Sequence, residues 1–225
     1  MKTINRRGVE FIVDNDTNDE IHRFWDMDSW EHENYELVHH FSSKCSTFFN
    51  AGGWIGPFTL FAAKLYEKVY SLEPDPFAFK ELKGNVELNK FSNVCIENKA
   101  LFDGTKTEIT MGSDYSPLGR SGTSIFQKDK SITVPCITLK EFFSKNNIPE
   151  NSFLMLDVEG AEYVLFDDFD FFKKYKPVLL VEFHCNFLSG EEFNHLNESL
   201  EKLKTIYKVP LIPKHQTTHR LLEVI

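Results

Sequence analysis

The sequence has 225 residues, of which 41% are hydrophobic, and this length and composition predict one globular domain rather than a fibrous or disordered chain. Its formal net charge of −9 disfavours a nucleic-acid partner, because polynucleotide binding needs Lys and Arg side chains that neutralise phosphates. No apolar run approaches the ~20 residues of a membrane helix, and scattered cysteines without an amino-terminal leader predict a reduced, cytoplasmic protein that binds no membrane.

The amino-terminal part of the sequence, residues 1–44, is predicted to form a helical cap, and residues 45–225 are predicted to form one Rossmann-like domain beneath it. Thr17 followed by acidic residues is typical of a helix start, and the predicted helix runs to about Phe41. Because this helix is rich in aromatic residues, we expect it to pack over the domain or over the mouth of an active site.

From Thr47 onward the sequence alternates short apolar runs with helical patterns, which predicts parallel strands with helices on both faces of a sheet. The predicted strands are 47–50, 68–72, 94–100, 153–156, 178–183, 205–209 and 221–224. The predicted helices are 57–66, 76–88, 191–203 and one that Thr138 caps and that runs to about Lys145. Too few residues join the final two strands for a crossover helix, so they are predicted to pair antiparallel. The pattern predicts an α/β, Rossmann-like fold whose seven-stranded sheet is mostly parallel, with an antiparallel carboxyl-terminal strand.

The stretch 105–135 interrupts this alternation of strands and helices. Pro117, Gly119 and Gly122 lie there between two β-like pieces, 106–111 and 131–137. We therefore predict an inserted hairpin or a flexible loop.

Residues that directly follow the strands are the candidates for a ligand site, because ligands of open parallel sheets bind beyond the carboxyl ends of the strands. A glycine turn follows the first strand, and glycine lets the backbone approach a ligand that a Cβ would hold away. The candidate cofactor-binding residues of this turn are Asn50, Ala51, Gly52, Gly53, Trp54 and Gly56.

Glu73 and its neighbour Pro74 follow the second strand, and Glu73 lies 21 positions after Gly52 (73 − 52 = 21). This spacing is typical of a carboxylate that accepts hydrogen bonds from both ribose hydroxyls, so it predicts a nucleoside ligand. An NAD-linked dehydrogenase is disfavoured, because Trp54 and Pro57 stand where a dinucleotide fingerprint needs glycine. The sequence also has no GxxxxGK[ST] loop for a triphosphate, so S-adenosylmethionine is the predicted cofactor.

Four segments stand in a fixed order along the sequence. They are FFNAGGWIGPFTLFAA from Phe48, VYSLEPDPFAFKELKGNVELN from Val69, FLMLDVEGAE from Phe153 and VLLVEFH from Val178. Together they resemble the FkbM family of methyltransferases, and the upstream pair Trp30-Glu31 is similar to the amino-terminal part of that family. The resemblance implies a class I methyltransferase fold that binds S-adenosylmethionine. It also implies methylation of an oxygen of a small hydroxylated acceptor, such as a saccharide.

In a fold of this kind the end of the third strand passes the adenine of the cofactor. The resemblance therefore implies contacts from Ala100 and Leu101, with Asp103 as a candidate partner of the adenine amino group. A turn at Asp103 and Gly104 explains the same residues without any ligand.

The sequence departs from the family at Asn50, where Asp is usual, and at Gly53-Trp54, where Ala-Asn is more common. An amide lacks the charge that would strengthen a hydrogen bond to the ammonium group of the ligand. Asn50 therefore supports the alternative function, a non-catalytic module with a methyltransferase fold that binds adenosine compounds. Trp54 either lines the adenosine or acceptor pocket or packs in the core.

The fourth and fifth strands end in acidic residues and a histidine, which supply the candidate catalytic residues. Asp157 and Glu159 follow the fourth strand, and Glu182 and His184 share one face at the end of the fifth. His184 is the candidate general base, Asp157 is the other candidate proton acceptor, and Glu159 stands beside them. A carboxylate wall would also favour the cationic sulfonium, so Asp157 is a candidate cofactor-binding residue as well. Glu162 belongs either to this wall or to the first turn of the next helix, near the helix dipole.

A Mg²⁺ ion could instead bind to Asp157, Glu159, Glu182 and His184 and lower the pKa of an acceptor hydroxyl. Methyl transfer from a sulfonium needs mainly positioning and removal of a proton, so a metal is not required. We therefore assign no metal ligand and keep Mg²⁺ as the less favoured alternative.

Overall fold

The computed structural model describes residues 1–14, 24–27, 30–112, 124–126, 131–212, 214 and 217–225. The predicted helix start at Thr17 lies outside the described residues. The same holds for Pro117, Gly119 and Gly122 of the predicted loop.

Strands and helices alternate along the chain as the sequence predicts. The strands are β1 (Lys2–Arg6), β2 (Val9–Val13), β3 (Thr47–Ala51), β4 (Lys68–Leu72), β5 (Val94–Glu97), β6 (Ala100–Leu101), β7 (Glu108–Met111), β8 (Ile132–Ile137), β9 (Phe153–Leu156), β10 (Val178–His184), β11 (Tyr207–Lys208) and β12 (Thr217–Val224). The helices are α1 (His32–Phe41), α2 (Pro57–Ala63), α3 (Pro76–Leu88), α4 (Leu139–Asn146), α5 (Glu162–Leu165), α6 (Phe169–Tyr175) and α7 (Gly190–Leu203). The predicted cap at Thr138 is confirmed, since its side chain and that of Glu141 form a capping box.

The main sheet has seven strands in the order β11-β12-β10-β9-β3-β4-β5. The strands from β5 to β10 in this order pair in parallel, whereas β12 runs antiparallel to both β10 and β11. The predicted seven-stranded, mostly parallel sheet with antiparallel carboxyl-terminal strands is therefore confirmed. Because β3 and β9 are parallel neighbours at the centre of the sheet, their carboxyl ends lie at the same edge of the sheet.

Helices cover both faces of this sheet. Phe49 and Leu154 belong to a cluster with α4, α6 and α7, while Phe48 and Phe153 belong to a cluster with α1, α2 and α3. Adjacent residues of a strand face opposite sides, so each apolar strand contributes to both cores. This double burial explains why the central strands are apolar at nearly every position.

The predicted third strand, 94–100, is in fact two strands of different sheets. β5 ends at Glu97 in the main sheet, whereas β6 pairs with β8 in a small sheet of order β6-β8-β7. Asn98 lies between them, and its side-chain amide donates to the carbonyls of Glu73 (2.8 Å) and Pro74 (2.9 Å). These two bonds turn the chain away from β5. The inserted hairpin is confirmed, because β7 and β8 pair antiparallel.

The amino-terminal region begins with a hairpin of β1 and β2, which the sequence analysis did not predict. Asn89 of the segment after α3 holds it, because its side-chain amide donates to the carbonyl of Ile12 (2.6 Å) and its side-chain oxygen accepts from the Ile12 N–H (2.8 Å). The predicted helix to about Phe41 is wrong in its extent, because Glu31 has a left-handed φ of 46° and α1 begins only at His32. The described residues before it include a single 3₁₀ turn at 24–26. The division into a cap, 1–44, and a domain, 45–225, stays a prediction.

Candidate active site

A cavity of about 210 Å³ lies at the carboxyl ends of the central strands. The small sheet contributes apolar residues to its lining, among them Leu101, Ile109 and Met111. The ends of β9 and β10 contribute carboxylates and His184. The cavity thus combines an apolar wall with a strongly polar one, which is typical of sites that hold a ligand with two chemically different parts.

The glycine turn after β3 forms one wall of the cavity. The N–H groups of Gly52 and Gly53 donate to the carbonyl of Leu72 at 3.0 and 2.9 Å. Gly52 has φ +90°, and a Cβ on it would lie 1.8 Å from the carbonyl oxygen of Asp157. Only glycine fits between β4 and β9 at this point. The turn therefore lies against the carboxyl ends of β3, β4 and β9.

Glu73 is 6% exposed and lines the cavity directly after β4. Its carboxylate accepts hydrogen bonds from the N–H of Trp54 (2.6 Å) and of Asp75 (2.7 Å). Burial raises the pKa of Glu73 to about 8, although the two N–H donors act in the opposite direction. The carboxylate is fixed by backbone, and its other lone pairs can accept from ligand hydroxyls.

His184 is 5% exposed and lies among four carboxylates. Its Nδ1 is 3.0 Å from Glu162 Oε1, and its Nε2 is 3.3 Å from Glu159, 3.7 Å from Asp157 and 3.9 Å from Glu182. All four acids come from the end of β10 or from the segment that follows β9. The predicted approach of Asp157, Glu159, Glu182 and His184 is therefore present in the structure.

These contacts shift the pKa values of His184 and Asp157 in the same direction. Burial lowers the pKa of His184, but the hydrogen bond to Glu162 and the nearby carboxylates outweigh it and raise the pKa to about 10. Burial raises the pKa of Asp157 well above its usual range, and Glu182 and Glu159 add to this effect. At neutral pH the imidazole carries a proton, while Asp157 is a stronger base than an ordinary aspartate.

Two further residues enter the acidic wall from distant parts of the chain. Glu31 precedes α1 and lines the cavity, and its carboxylate accepts from the side-chain amide of Asn34 at 2.9 Å. His219 on β12 stands opposite Glu182 in the sheet, with Nε2 3.0 Å from Glu182 Oε2. Burial acts to raise the pKa of Glu182, but the two histidines outweigh it and lower the pKa.

Two sets of residues in this wall could hold a metal ion. Glu31, Glu182 and His219 have ligand atoms within 4.8 Å of one another, and so do Asp157, Glu182 and His184. Carboxylate oxygens and imidazole nitrogens are ligands for divalent cations. The Mg²⁺ alternative therefore stays a prediction.

An aromatic cluster closes the cavity on the side of the amino-terminal region. The ring centroid of Trp54 lies 4.5 Å from that of Phe24 and 6.2 Å from that of Trp30, which in turn stacks on Phe58 at 5.6 Å. Both Trp30 and Trp54 line the cavity. Trp54 thus faces the cavity and packs against apolar rings at the same time, and the expected position of the amino-terminal aromatics over the site is confirmed.

The structure brings most of the predicted site residues together around this cavity. Those in its lining are Gly52, Trp54, Glu73, Pro74, Ala100, Leu101, Asp157, Glu159 and His184.

Five predicted cofactor residues lie outside the lining: Asn50, Ala51, Gly53, Gly56 and Asp103. Asn50 is buried, and its side-chain amide donates to Thr59 Oγ1 (3.3 Å). Asp103 accepts from the N–H of Thr105 (2.9 Å), which is the turn that the sequence offered as the alternative. Ala51 packs in the core, and the two glycines shape the turn, since Gly56 N–H donates to the Gly53 carbonyl (2.9 Å).

The sequence does not single out Glu31 or His219 as site residues, and it leaves Glu162 between the carboxylate wall and the start of the next helix. Glu31 was signalled only by its place in the Trp30-Glu31 pair. Glu162 is the first residue of α5, as one of the two alternatives for it predicted, yet its carboxylate contacts His184. Nothing in the sequence near His219 indicates its partner, because cross-strand pairing with Glu182 depends on the register of the sheet.

Comparisons with known proteins agree with this architecture. Residues 50–207 match the family model of the methyltransferase FkbM domain. Among solved structures, methyltransferase FkbM from Methylobacillus flagellatus KT is similar at 14% identity and TM-score 0.49, over 85% of this chain and 51% of that one. An rRNA methylase from Streptococcus thermophilus is similar at 11% identity and TM-score 0.50, over 86% of this chain and 95% of that one.

The chain therefore spans about half the length of the FkbM structure. A search of curated proteins found no match. At these identities the likeness to solved structures concerns the fold alone. In the described residues, no helix is both long and apolar enough to cross a membrane.

Proposed function

Because the chain belongs to the FkbM methyltransferase family, we propose that it transfers a methyl group from S-adenosylmethionine to a hydroxyl of a sugar or another small metabolite. The observation that carries this proposal is the position of Glu73 and Asp157 on one cavity, on either side of the Gly52 turn. The first is suited to a ribose and the second to an acceptor proton. We call the Gly52 turn with Glu73 the cofactor side, and Glu31, Asp157, Glu159, Glu182 and His184 the acceptor side.

The cofactor side has the features that a nucleoside with a cationic centre needs. A Cβ at Gly52 would collide with Asp157, so the backbone comes as close to the cavity as it can. Glu73 can accept from the ribose hydroxyls, and Leu101 with Ile109 and Met111 offers an apolar surface for the adenine. The carboxylates of the acceptor side favour a positive sulfonium.

S-adenosylmethionine, when bound, supplies a methyl group that is already activated on sulfur. The residues of the chain must therefore orient the acceptor oxygen and remove its proton. We assign the role of proton acceptor to Asp157, because its raised pKa makes it a stronger base than an ordinary aspartate. The acceptor O–H bond would break as its oxygen bonds to the methyl carbon, the methyl–sulfur bond would break to leave S-adenosylhomocysteine, and Asp157 would become a neutral carboxylic acid.

His184 takes a different role in this proposal from the general base that the sequence suggests. With a pKa raised to about 10 it carries a proton at neutral pH and has no lone pair to accept another. Its Nε2 can instead donate to Glu159 or Asp157 and hold their carboxylates towards the cavity. Glu159 and Glu182 are then available to accept from other hydroxyls of the acceptor.

A neutral, polyhydroxylated acceptor agrees with these groups. Carboxylates accept hydrogen bonds from hydroxyls, and the rings of Trp30 and Trp54 offer flat apolar surfaces to a sugar face. A phosphorylated acceptor is disfavoured, because among the described residues Lys99 is the one Lys or Arg in the lining and it pairs with Glu97 at 2.9 Å. The charge of −9 disfavours nucleic acid in the same way.

Calorimetric titration of the purified chain with S-adenosylmethionine tests the cofactor, with Glu73→Ala as the contact control and the exposed Glu87→Ala as the matched variant. We expect saturable binding that weakens only in Glu73→Ala. A panel of neutral sugars, amino sugars and sugar phosphates then tests the acceptor by formation of S-adenosylhomocysteine, with and without EDTA. Binding without turnover of any hydroxylated compound would favour the non-catalytic alternative, and loss of turnover in EDTA would favour Mg²⁺.

A further inference from the structure

The carboxylate of Glu162 is the most enclosed acidic group beside the cavity. Glu162 is 1% exposed and is absent from the cavity lining, so it does not face a ligand. Its Oε1 accepts from the N–H of Val158 (3.2 Å), the N–H of Gly160 (3.2 Å) and Nδ1 of His184 (3.0 Å). A buried carboxylate is costly unless it is hydrogen-bonded, and these three donors satisfy it.

Two of these donors belong to the turn that carries Asp157 and Glu159. Glu159 and Gly160 both have positive φ, 52° and 103°, so the turn has a conformation that side chains rarely adopt. The N–H groups on both sides of Glu159 converge on Glu162. The same carboxylate that contacts His184 therefore also holds the backbone from which Glu159 projects.

The third donor fixes the imidazole. The ring of His184 stacks on Phe187 with centroids 5.8 Å apart and an angle of 9° between the planes, and its Nδ1 faces Glu162. Stacking restricts the plane of the ring, and the hydrogen bond selects which of the two flipped orientations about the Cβ–Cγ bond the ring adopts. Nε2 is then directed at Glu159 and Asp157, which line the cavity.

We propose that Glu162 is a positioning residue, which sets the distance between the β9 turn and His184 and directs His184 Nε2 at the carboxylates of Glu159 and Asp157. This inference rests on the proposed methyl transfer, because Glu162 would act by positioning residues of the acceptor side. Glu162 itself contacts no ligand. Its removal should reduce turnover while leaving the affinity for S-adenosylmethionine unchanged.

The first test observes His184 in the unmutated full chain by NMR with ¹⁵N-labelled histidine, assigned with His184→Gln. We expect the Nδ1 proton of His184 to exchange with water at least about tenfold more slowly than ring protons of the exposed His39, since a hydrogen bond to a charged group is among the stronger ones. Equal exchange at the two histidines would overturn the proposal without any variant of Glu162.

The second test compares Glu162→Gln with Glu141→Gln, which alters the exposed capping box of α4. In folded Glu162→Gln we expect faster exchange at His184 and a kcat lower by about ten- to hundredfold, with unchanged KM for the acceptor. Unchanged exchange and kcat would contradict the proposal. Failure of the unmutated chain to bind S-adenosylmethionine would instead refute the proposed function, whatever the exchange of His184 shows.

Discussion

The cofactor side and the acceptor side of the cavity are built in different ways. On the cofactor side, the contacts of Gly52 and Glu73 are made with backbone groups of Leu72, Trp54 and Asp75. On the acceptor side, side chains from remote elements contact one another, as His184 does with its carboxylates. Backbone contacts within one βαβ unit fix geometry locally, whereas the acceptor side depends on the whole sheet being assembled.

This difference separates binding from turnover. A change on the cofactor side should alter the affinity for S-adenosylmethionine, because the groups there face the nucleoside. A change on the acceptor side should alter kcat or the KM for the acceptor and change that affinity much less. The turn at Gly52 is where the two sides meet, since it lies against the carbonyl of Asp157.

The largest effect is expected from Gly52→Ala, which should damage both sides at once. The new Cβ would overlap the Asp157 carbonyl, and the residue would have to keep φ +90°. We expect the free energy of unfolding to fall by about 2–5 kcal/mol, as measured by urea denaturation, together with loss of cofactor binding. The matched variant is Gly84→Ala within α3, where a Cβ meets nothing within 4 Å and stability should rise. Equal stability of the two variants would contradict the close approach at Gly52.

Asp157→Asn should break the acceptor side alone. Without a proton acceptor, kcat should fall by about 10²–10⁴, while calorimetry should show a much smaller fall in the affinity for S-adenosylmethionine, because the other carboxylates still favour its sulfonium. Asp170→Asn on the exposed start of α6 serves as the control. A fall in affinity as large as the fall in kcat would move Asp157 to the cofactor side.

The pH profile of kcat offers an independent check on this assignment. Asp157 must be unprotonated to act as a base, so kcat should rise with pH through its raised pKa. His184 must keep its proton, so kcat should fall again as pH passes about 10. A profile that instead rises through the ordinary pKa of histidine would restore His184 as the general base.

Glu73→Gln should weaken the cofactor side by a smaller amount. The amide keeps the shape but replaces one acceptor oxygen with an NH₂ donor, and we expect the affinity for S-adenosylmethionine to fall by about ten- to hundredfold with kcat at saturation retained. Glu87 is exposed on α3, the helix that follows Glu73. Glu87→Gln should therefore bind S-adenosylmethionine as tightly as the unmutated chain does. An unchanged affinity would remove Glu73 from the proposed ribose contact.

Glu31→Gln should produce the smallest change, at the edge of the acceptor side. Its carboxylate contributes to the wall without contacting His184 directly, so we expect the KM for the acceptor to rise by about three- to tenfold. Glu33→Gln, two residues away and exposed, is the matched control. Equal kinetics of the two variants would exclude Glu31 from the acceptor side, which would then consist only of residues at the ends of β9 and β10.

The extent to which the sequence predicts each side follows from this construction. The strands of the main sheet, the glycine turn and Glu73 are signalled by local patterns of apolar residues and by spacing. The β1–β2 hairpin was missed, because its strands are short and their alternation is brief. The contacts of His219 and Glu162 could not be predicted, since they join residues 37 (219 − 182) and 22 (184 − 162) positions apart through the packing of the sheet.

β12 lies between β10 and β11 in the sheet but is the last strand to be synthesised. The residues of the two sides are therefore completed at different times during synthesis. The ribosome adds 146 residues (219 − 73) between Glu73 and His219, which takes about 7–30 s at typical bacterial and eukaryotic rates. During that interval a nascent chain already contains the glycine turn and its glutamate, whereas Glu182 and then His219 are still to be added. The groups that would recognise the nucleoside are therefore made early, and Glu182 of the acceptor side gains its cross-strand histidine only when β12 joins the sheet.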